Sequence, residues 1–359
     1  VKSFTGFAAF DGPTGALLWS FAGGYANVLP PPYTQPCRVT SGWEGWAVGD
    51  IDDDGIPEVV TTANCDPSVY DGEDFLMTFD ARTGAEKWVS QRLSVNRGGN
   101  PGAAYGAGLS IARLTPDDVP VILFGNSQNS NDCAQYVESA PAGTLDCRRV
   151  TIVDGPTGAK RRTMYSLGAA VNNRQVTADR NETQNHVAPI VFDLDRDGEV
   201  EIVYAGVVFA LDGHPKWELP VAVPHVAIGN LDATPDVEVV AVTKLAPLAR
   251  LGNIEAFKAD GTRLWRYPLG NGATNVFSNL TLADVDGDGF ADVLFPYYDY
   301  GTAKDTLLAV GHASSLVDRT NDLSSEVVLA QLRSVVVDLL LLTGMGQLES
   351  TDALPPPRE

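Results

Sequence analysis

The sequence has few of the residues from which common active sites are built. It holds only 4 histidines, 4 cysteines and 3 methionines among 359 residues. It contains no Gly-x-Ser-x-Gly, His-Glu-x-x-His or phosphate-binding Gly-rich segment, which disfavours nucleophile-elbow hydrolases, zinc proteases and P-loop enzymes. No apolar run reaches the roughly 18 residues that a membrane-spanning helix requires, so we expect no membrane insertion.

Basic residues are also scarce. The chain has 25 Lys and Arg against 46 Asp and Glu, a net charge of −21. Because binding to phosphates needs basic patches, we expect no nucleic acid and no anionic membrane among the partners. The chain opens at Val1 without a signal peptide, as a processed form of a secreted protein would.

The cysteines are even in number and lack the spacing of metal ligands, which favours disulfides and an oxidising, extracellular compartment. The pairs that we expect are Cys37–Cys65 and Cys133–Cys147.

An acidic loop recurs along the chain, with carboxylates at positions 1, 3, 5 and 9 and glycine at position 6. Ca²⁺ prefers six to eight oxygen ligands, and alternating Asp residues in a tight loop supply them from one side of the backbone. Glycine at position 6 permits the sharp turn that brings position 9 to the same ion. The predicted calcium ligands are Asp50, Asp52, Asp54 and Glu58, then Asp193, Asp195, Asp197 and Glu201, and then Asp284, Asp286, Asp288 and Asp292.

A fourth copy of the loop is degenerate and predicts a weaker site. It offers Asn230, Asp232 and Glu238 as ligands, but has Thr234 at position 5 and Pro235 at position 6. An EF-hand is excluded because it needs Glu at position 12, which the complete copies lack. β-Branched and apolar residues follow each complete loop, so we expect the ion in a β-hairpin.

A second element, a strand pair around an Asp/Gly turn that often ends in Trp, alternates with the acidic hairpins. Full copies span 10–19 and 79–88, and partial copies begin at Val153, Leu211 and Phe257. The acidic hairpins lie near 43–62, 186–205, 224–243 and 276–298, and a degenerate one without ligands spans 105–126. Two hairpins make a four-stranded unit of a size that matches a propeller blade.

The alternation predicts an all-β fold, a β-propeller of six blades, with seven as the alternative. Residues 1–345 form the single propeller domain, and 346–359 form a flexible Pro-rich tail. We expect the N-terminal strands to pair with strands from 327–342 and so to close the ring. A C-terminal helix over 325–342 is the rival interpretation of that segment.

The acidic loops resemble the FG-GAP/VCBS calcium-loop repeats, which are typified by the propeller heads of integrin α-subunits. The resemblance covers most of residues 40–310. It implies Ca²⁺ between the first two strands of a blade and an extracellular, often adhesive protein. The outer hairpins resemble quinoprotein repeats, but the adjacent-cysteine pair of quinone-binding dehydrogenases is absent, so that cofactor is not carried over.

Several polar and aromatic residues stand at the starts of predicted innermost strands, which converge on the mouth of a propeller channel. No catalytic residue is assigned among them, and the two tryptophans are candidates for stacking on a sugar. The candidate ligand-binding residues are Trp43, Glu44, Trp46, His186, His225 and Asn279.

These features favour a secreted, calcium-binding propeller that acts as a non-catalytic binding, adhesion or structural module. Its expected partner is an extracellular protein or glycan, or another copy of itself. One alternative is an enzyme acting on polysaccharide, such as a lyase with a site at the channel mouth. The other is a self-assembling subunit of an extracellular fibre or surface layer.

Overall fold

The computed structural model describes a set of ranges rich in strands. All the regular secondary structure in this part of the chain is β-strand. It contains no helix that is long and apolar enough to cross a membrane. The described residues are 6–22, 38–39, 46–64, 75–91, 93, 108–127, 148–166, 188–219, 223, 225–244, 251–274, 280–285, 287–299 and 304–311.

The strands follow one another in six groups along the chain. The first group is β1 (Gly6–Phe10) and β2 (Leu17–Ala22). The second is β3 (Arg38–Val39), β4 (Ala47–Gly49), β5 (Glu58–Asn64), β6 (Phe75–Asp80) and β7 (Glu86–Val89). The third is β8 (Gly108–Ala112), β9 (Val121–Ser127), β10 (Arg148–Asp154) and β11 (Lys160–Tyr165).

The remaining groups complete the described strands. The fourth is β12 (Ile190–Phe192), β13 (Glu201–Tyr204), β14 (Val207–Phe209) and β15 (Pro215–Glu218). The fifth is β16 (His225–Gly229), β17 (Glu238–Lys244), β18 (Leu251–Phe257) and β19 (Arg263–Thr274). The sixth is β20 (Thr281–Ala283), β21 (Asp292–Asp299) and β22 (Lys304–Val310).

The strand pairs within the groups are all antiparallel, and the all-β expectation is confirmed for the described residues. In the second group β3 and β4 both pair with β5. The third and fourth groups are simple four-stranded sheets in chain order. The fifth and sixth groups are joined into one sheet. The 12-residue strand β19 runs past its hairpin, so that Ala273 and Thr274 pair with Asp299 and Tyr298 of β21.

In the second to fifth groups the middle strands are apolar on both faces, because each of these sheets packs against a neighbouring sheet on both sides. Successive side chains of a strand point to opposite faces. In β5, Val59 packs towards the first group, whereas Val60 packs towards the third. Strands of this kind read as continuous apolar runs rather than as an alternation of apolar and polar residues.

Five of the six hydrophobic clusters in the described part of the chain lie between two successive sheets, and the sixth cluster contains residues of the sixth group only. The sheets therefore stack face to face in chain order, as the blades of a propeller do. The pairs that represent the successive interfaces are Phe7 with Phe79, Val60 with Ile122, Val150 with Ile202, Val208 with Val239, and Val240 with Val293.

The tryptophans of the outer hairpins link neighbouring sheets. They are half-buried rather than part of the fully buried core. In three of them the indole N–H donates to a backbone carbonyl in the hairpin turn of the next sheet. The bonds are Trp19 to Ala81 at 2.8 Å, Trp88 to Gly155 at 3.0 Å and Trp217 to Ala259 at 2.7 Å.

The glycine of each receiving turn leaves room for the incoming indole. At Gly158, with φ +71°, a Cβ would lie 2.6 Å from the ring of Trp88. Gly261 has φ +83° and would place a Cβ 2.7 Å from Trp217. The repeated Gly therefore serves both the left-handed turn and the contact between sheets.

The third sheet has no tryptophan at the equivalent position and is linked to the fourth by an arginine. Arg148 is 2 % exposed. Its Nη1 donates to the carbonyls of Leu219 at 2.9 Å and Ala205 at 3.3 Å, and its Nη2 donates to Ser166 Oγ at 3.2 Å. A buried guanidinium with several acceptors thus provides a polar link in place of the indole.

In two pairs of neighbouring sheets the first strands lie beside each other, as strands around a common axis would. A Cβ on Gly49 of β4 would lie 3.3 Å from Ile111 of β8, and one on Gly229 of β16 would lie 2.7 Å from Leu282 of β20. The segments predicted to close the ring, 327–342 with its rival helix 325–342, lie outside the described residues, as does the tail 346–359.

Candidate metal loops

The four acidic loops connect the first and second strands of four sheets. They lie between β4 and β5, β12 and β13, β16 and β17, and β20 and β21, and each pair of strands is antiparallel. The prediction that each loop lies in a β-hairpin is confirmed. The degenerate hairpin also forms, from β8 and β9.

The carboxylate at position 9 is buried and holds the start of its own loop. In all four copies one of its oxygens accepts a hydrogen bond from the backbone N–H of position 2. In Glu58 and Glu201 the other oxygen accepts a hydrogen bond from a lysine. Neither the spacing nor the residue types revealed the bond from position 2 before the structure. The bonds are Ile51 to Glu58 at 3.0 Å, Leu194 to Glu201 at 2.8 Å, Leu231 to Glu238 at 2.7 Å and Val285 to Asp292 at 2.8 Å.

The carboxylate at position 1 accepts the N–H of the glycine at position 6 in the three complete loops. These bonds bend the loop around its first residue. At Asp50, burial raises the carboxyl pKa, but the N–H of Gly55 and other loop N–H groups outweigh it and lower the pKa. The bonds are Gly55 to Asp50 at 2.9 Å, Gly198 to Asp193 at 3.0 Å and Gly289 to Asp284 at 3.0 Å.

Two positions of the loop adopt left-handed backbone, one more than expected. Glycine at position 6 has φ +80° at Gly55 and +93° at Gly198, which confirms its predicted role. Position 4 is left-handed too, at Asp53 with φ +62° and Arg196 with φ +56°. The third loop has a glycine at this position, Gly287 with φ +80°, and this glycine could have indicated the left-handed backbone from the sequence.

Two loops bring three carboxylates together. Oxygens of Asp50, Asp52 and Glu58 lie within 4.8 Å of one another, as do those of Asp193, Asp195 and Asp197. Oδ1 of Asp52 and Oδ1 of Asp193 are buried and accept no hydrogen bond. Such an all-oxygen set with unused lone pairs fits a hard divalent cation.

The third complete loop is described in part, because Asp286 lies outside the described residues. Asp284, Asp288 and Asp292 occupy the expected positions of the hairpin. The N–H of Phe290 donates to Oδ1 of Asp288 at 2.9 Å. The same bond from position 7 to position 5 is made by Ile56 to Asp54 and by Glu199 to Asp197, each at 2.8 Å.

The fourth loop keeps the bond at position 9 but loses the bend at position 6. Pro235 has no N–H and cannot make the bond from position 6 to position 1. Instead the N–H of Thr234 donates to Asp232 at 2.7 Å. Burial raises the pKa of Glu238, and the negative charges of Asp232 and Asp236 raise it further.

Lysine side chains from the fourth strand enter two of the loops. Lys87 contacts the loop of Asp50, and Lys216 contacts the loop of Asp193. Burial of each ammonium opposes its charge, but hydrogen bonds and the charges of the carboxylates outweigh burial, so the pKa of both lysines is raised. The hydrogen bond from Lys216 in turn lowers the pKa of Asp195.

The loops lie at one end of the stacked sheets, and three polar contacts join loops of neighbouring sheets. The N–H of Val237 donates to the carbonyl of Leu194 at 3.3 Å, and that of Ala291 donates to Asn230 at 2.8 Å. Arg113, in the loop between β8 and β9, forms an ion pair with Asp53. These contacts connect the loops of the second and third sheets, and those of the fourth, fifth and sixth sheets.

Two of the candidate ligand-binding residues are described, and both have packing partners. The Trp46 ring is 4.6 Å from Phe7, edge to face, and Trp46 remains 39 % exposed. His225 is buried at the start of β16, with its ring 5.5 Å from Phe295. The predicted residues outside the described part are Trp43, Glu44, His186, Asn279, Cys37, Cys65, Cys133 and Cys147.

The fold and the loops together define an all-β protein of propeller-like architecture with acidic loops that can hold a metal. No protein-family model matches the sequence, and no curated protein matches it. The V. cholerae biofilm matrix protein Bap1 is similar in structure, with a TM-score of 0.50 at 12 % identity over 80 % of this chain and 40 % of that one.

Two further solved structures are similar at lower scores. The exotype rhamnogalacturonan lyase YesX has a TM-score of 0.42 at 16 % identity, over 78 % of this chain and 56 % of that one. A europium-containing methanol dehydrogenase has a TM-score of 0.47 at 14 % identity, over 86 % and 66 %. The chain spans less than two thirds of the length of each of these three proteins.

Proposed function

We propose that this protein is an extracellular, calcium-stabilised β-propeller of six blades that acts as a binding, adhesion or structural module of the FG-GAP/VCBS type. The observation that carries the proposal is the repeated hydrogen-bonded loop with its converging carboxylates. Calcium would be held by the carboxylates at positions 1, 3, 5 and 9 of each complete loop. These are Asp50, Asp52, Asp54 and Glu58, then Asp193, Asp195, Asp197 and Glu201, and then Asp284, Asp286, Asp288 and Asp292.

The position of the loops gives the ion a structural role. Each loop joins two strands of one sheet and contacts the loop of a neighbouring sheet, as Ala291 does with Asn230. A divalent cation would offset the charge that these carboxylates concentrate at one end of the molecule. Millimolar calcium outside cells suits loops of this kind.

The proposal of a six-blade ring is based on the first group of strands. It carries the same outer hairpin as the other sheets, and Trp19 docks on the second sheet as Trp88 docks on the third. Among the described residues β1 pairs only with β2. The ring would be completed by strands from 327–342 that pair with the open edge of β1, since an exposed edge invites aggregation.

Thermal unfolding in calcium and in excess EDTA tests the metal. We expect a higher melting temperature with calcium, because a ligand that binds only the folded state stabilises it. Magnesium should stabilise less, because it requires octahedral geometry and loses its water reluctantly. Identical melting curves in calcium and EDTA would contradict the proposal.

A triple variant tests whether the loops cause the rise in melting temperature with calcium. Replacing position 1 by Asn at Asp50, Asp193 and Asp284 keeps an oxygen that can accept the glycine N–H but removes a charged calcium ligand. The triple variant should melt at nearly the same temperature in calcium and in EDTA. If it keeps the full response to calcium, the ion binds elsewhere.

The binding role is tested on a glycan array with and without chelator. Bap1 is described as a biofilm matrix protein, which is compatible with a glycan or a matrix protein as the partner here. Calcium-dependent retention of a glycan that remains intact supports a binding module. Cleavage of the retained glycan would instead identify an enzyme, and ordered polymers in native material would identify a self-assembling subunit.

A further inference from the structure

Two of the acidic loops contain a cation supplied by the chain itself. Lys87, on β7, places its Nζ 2.7 Å from Oδ2 of Asp52 and 2.7 Å from Oε1 of Glu58. The same Nζ lies 3.6 Å from Oδ2 of Asp54. The ammonium therefore touches positions 3, 5 and 9 of the loop at once.

The arrangement recurs in the fourth sheet. Lys216, on β15, places its Nζ 3.0 Å from Oδ2 of Asp195 and 2.6 Å from Oε1 of Glu201. Positions 3 and 9 are again the ones contacted. Glu58 and Glu201 each use one oxygen for the N–H of position 2 and the other for the lysine.

The lysines are placed by the tryptophan that follows each of them. Adjacent residues of a strand point to opposite faces. With the indoles of Trp88 and Trp217 fixed on the next sheet, Lys87 and Lys216 are directed back to the loops of their own sheets. In the fifth sheet the residue before Trp265 is Leu264, which carries no charge. The acidic loop of that sheet is the fourth copy, which begins at Asn230.

We propose that Lys87 and Lys216 are internal cations that stabilise their loops without metal and weaken calcium binding there by competing for the same carboxylates. This inference rests on the proposed calcium loops. It makes the two lysines affinity-determining residues of the sites, each positioned by a hairpin outside the loop itself.

The competition follows from the shared ligands. Calcium in the first loop would use oxygens of Asp52 and Glu58, which are the two carboxylates that the ammonium of Lys87 contacts most closely. On binding, the ion must either displace the ammonium or bear its repulsion, and either event lowers the affinity. Without calcium, the ammonium offsets part of the negative charge, so the loop is less repulsive than its sequence indicates.

The test compares Lys87→Met, Lys216→Met and the double variant with Lys258→Met, a control at an exposed lysine in the turn of the fifth sheet. Melting temperatures are measured in EDTA, and calcium affinity is measured by titration calorimetry. The loop variants should melt lower than the control in EDTA. They should bind calcium more tightly, on the order of tenfold for the loss of one nearby like charge.

A charge-conserving variant separates charge from packing. Lys87→Arg should keep the melting temperature in EDTA near that of the wild type, because it retains the cation. Loop variants that match Lys258→Met in both measurements would overturn the inference, as would a higher melting temperature in EDTA. A lower melting temperature in EDTA with unchanged calcium affinity would overturn the competition.

The outcomes also separate this inference from the proposed function. Absence of calcium binding in the wild type, together with calcium binding by Lys87→Met, would refute the metal role of the native loop and support the internal cation. Calcium binding by both at equal affinity would support the metal role and refute the competition.

Discussion

The contact between Trp88 and Gly158 allows a stability change to be worked out in two parts. Replacing Gly158 with Ala places a side chain on left-handed backbone, at φ +71°. For an L-residue this costs about 1–2 kcal/mol. The new Cβ also lies 2.6 Å from Cε3 and 2.9 Å from Cζ3 of the indole. Overpacking of this kind adds about 1–3 kcal/mol, so we expect a total of about 2–5 kcal/mol.

Gly15 provides the matched control, because it holds the same place in the first outer hairpin. It has φ +66°, and a Cβ there would meet nothing within 4 Å. Gly15→Ala should therefore show only the backbone cost, about 1–2 kcal/mol. The difference between the two variants isolates the contact between sheets.

The assay is thermal unfolding in calcium, with near-ultraviolet circular dichroism as a probe of the indole. Gly158→Ala should melt below Gly15→Ala and should change the indole signal, since the added methyl group pushes the ring away from its 3.0 Å bond to Gly155. Combining Gly158→Ala with Trp88→Leu should recover much of the packing cost. Equal melting temperatures for the two glycine variants would refute the reasoning.

Two further predictions concern closure and charge. If strands from 327–342 close the ring as proposed, truncation after Asp322 should cause aggregation, because it would leave the edge of β1 unpaired. A monomeric product with an unaltered melting temperature would disprove closure. In EDTA at pH 7, Glu238→Gln should not lower the melting temperature, because a raised carboxyl pKa means that the charged form opposes folding. Glu201→Gln should lose about 2 kcal/mol, because Lys216 then loses the buried one of its two charged acceptors and keeps only Asp195. The opposite order of melting temperatures for the two variants would show the assignment to be wrong.

Sequence reasoning identified the loops because their geometry is local. A carboxylate at every second position and a glycine at position 6 define the turn within nine residues, and the structure places each copy between antiparallel strands as expected. Proline at position 6 of the fourth loop was part of the prediction of a weaker site; that the bond from position 6 to position 1 is lost there, because proline has no N–H, was found only in the structure. The alternation of two hairpin types predicted the order of the strands for the same reason.

The closing of the ring and the third site with Asp286 remain predictions, since their residues lie outside the described part. So do the two disulfides and most of the candidate ligand-binding residues. The described candidates show why strand position alone does not define a ligand site. Trp46 and His225 stand where predicted, but each packs against a phenylalanine.

The sequence by itself determined the acidic loops, their glycine turns and the succession of hairpins, because each depends on residues a few positions apart. Tertiary structure alone decided which partners these elements meet. The lysine in the first loop comes from 29 residues beyond Glu58, and the carbonyl that receives Trp88 lies 67 residues further along the chain. Such contacts depend on how neighbouring sheets pack, and no local spacing encodes that packing.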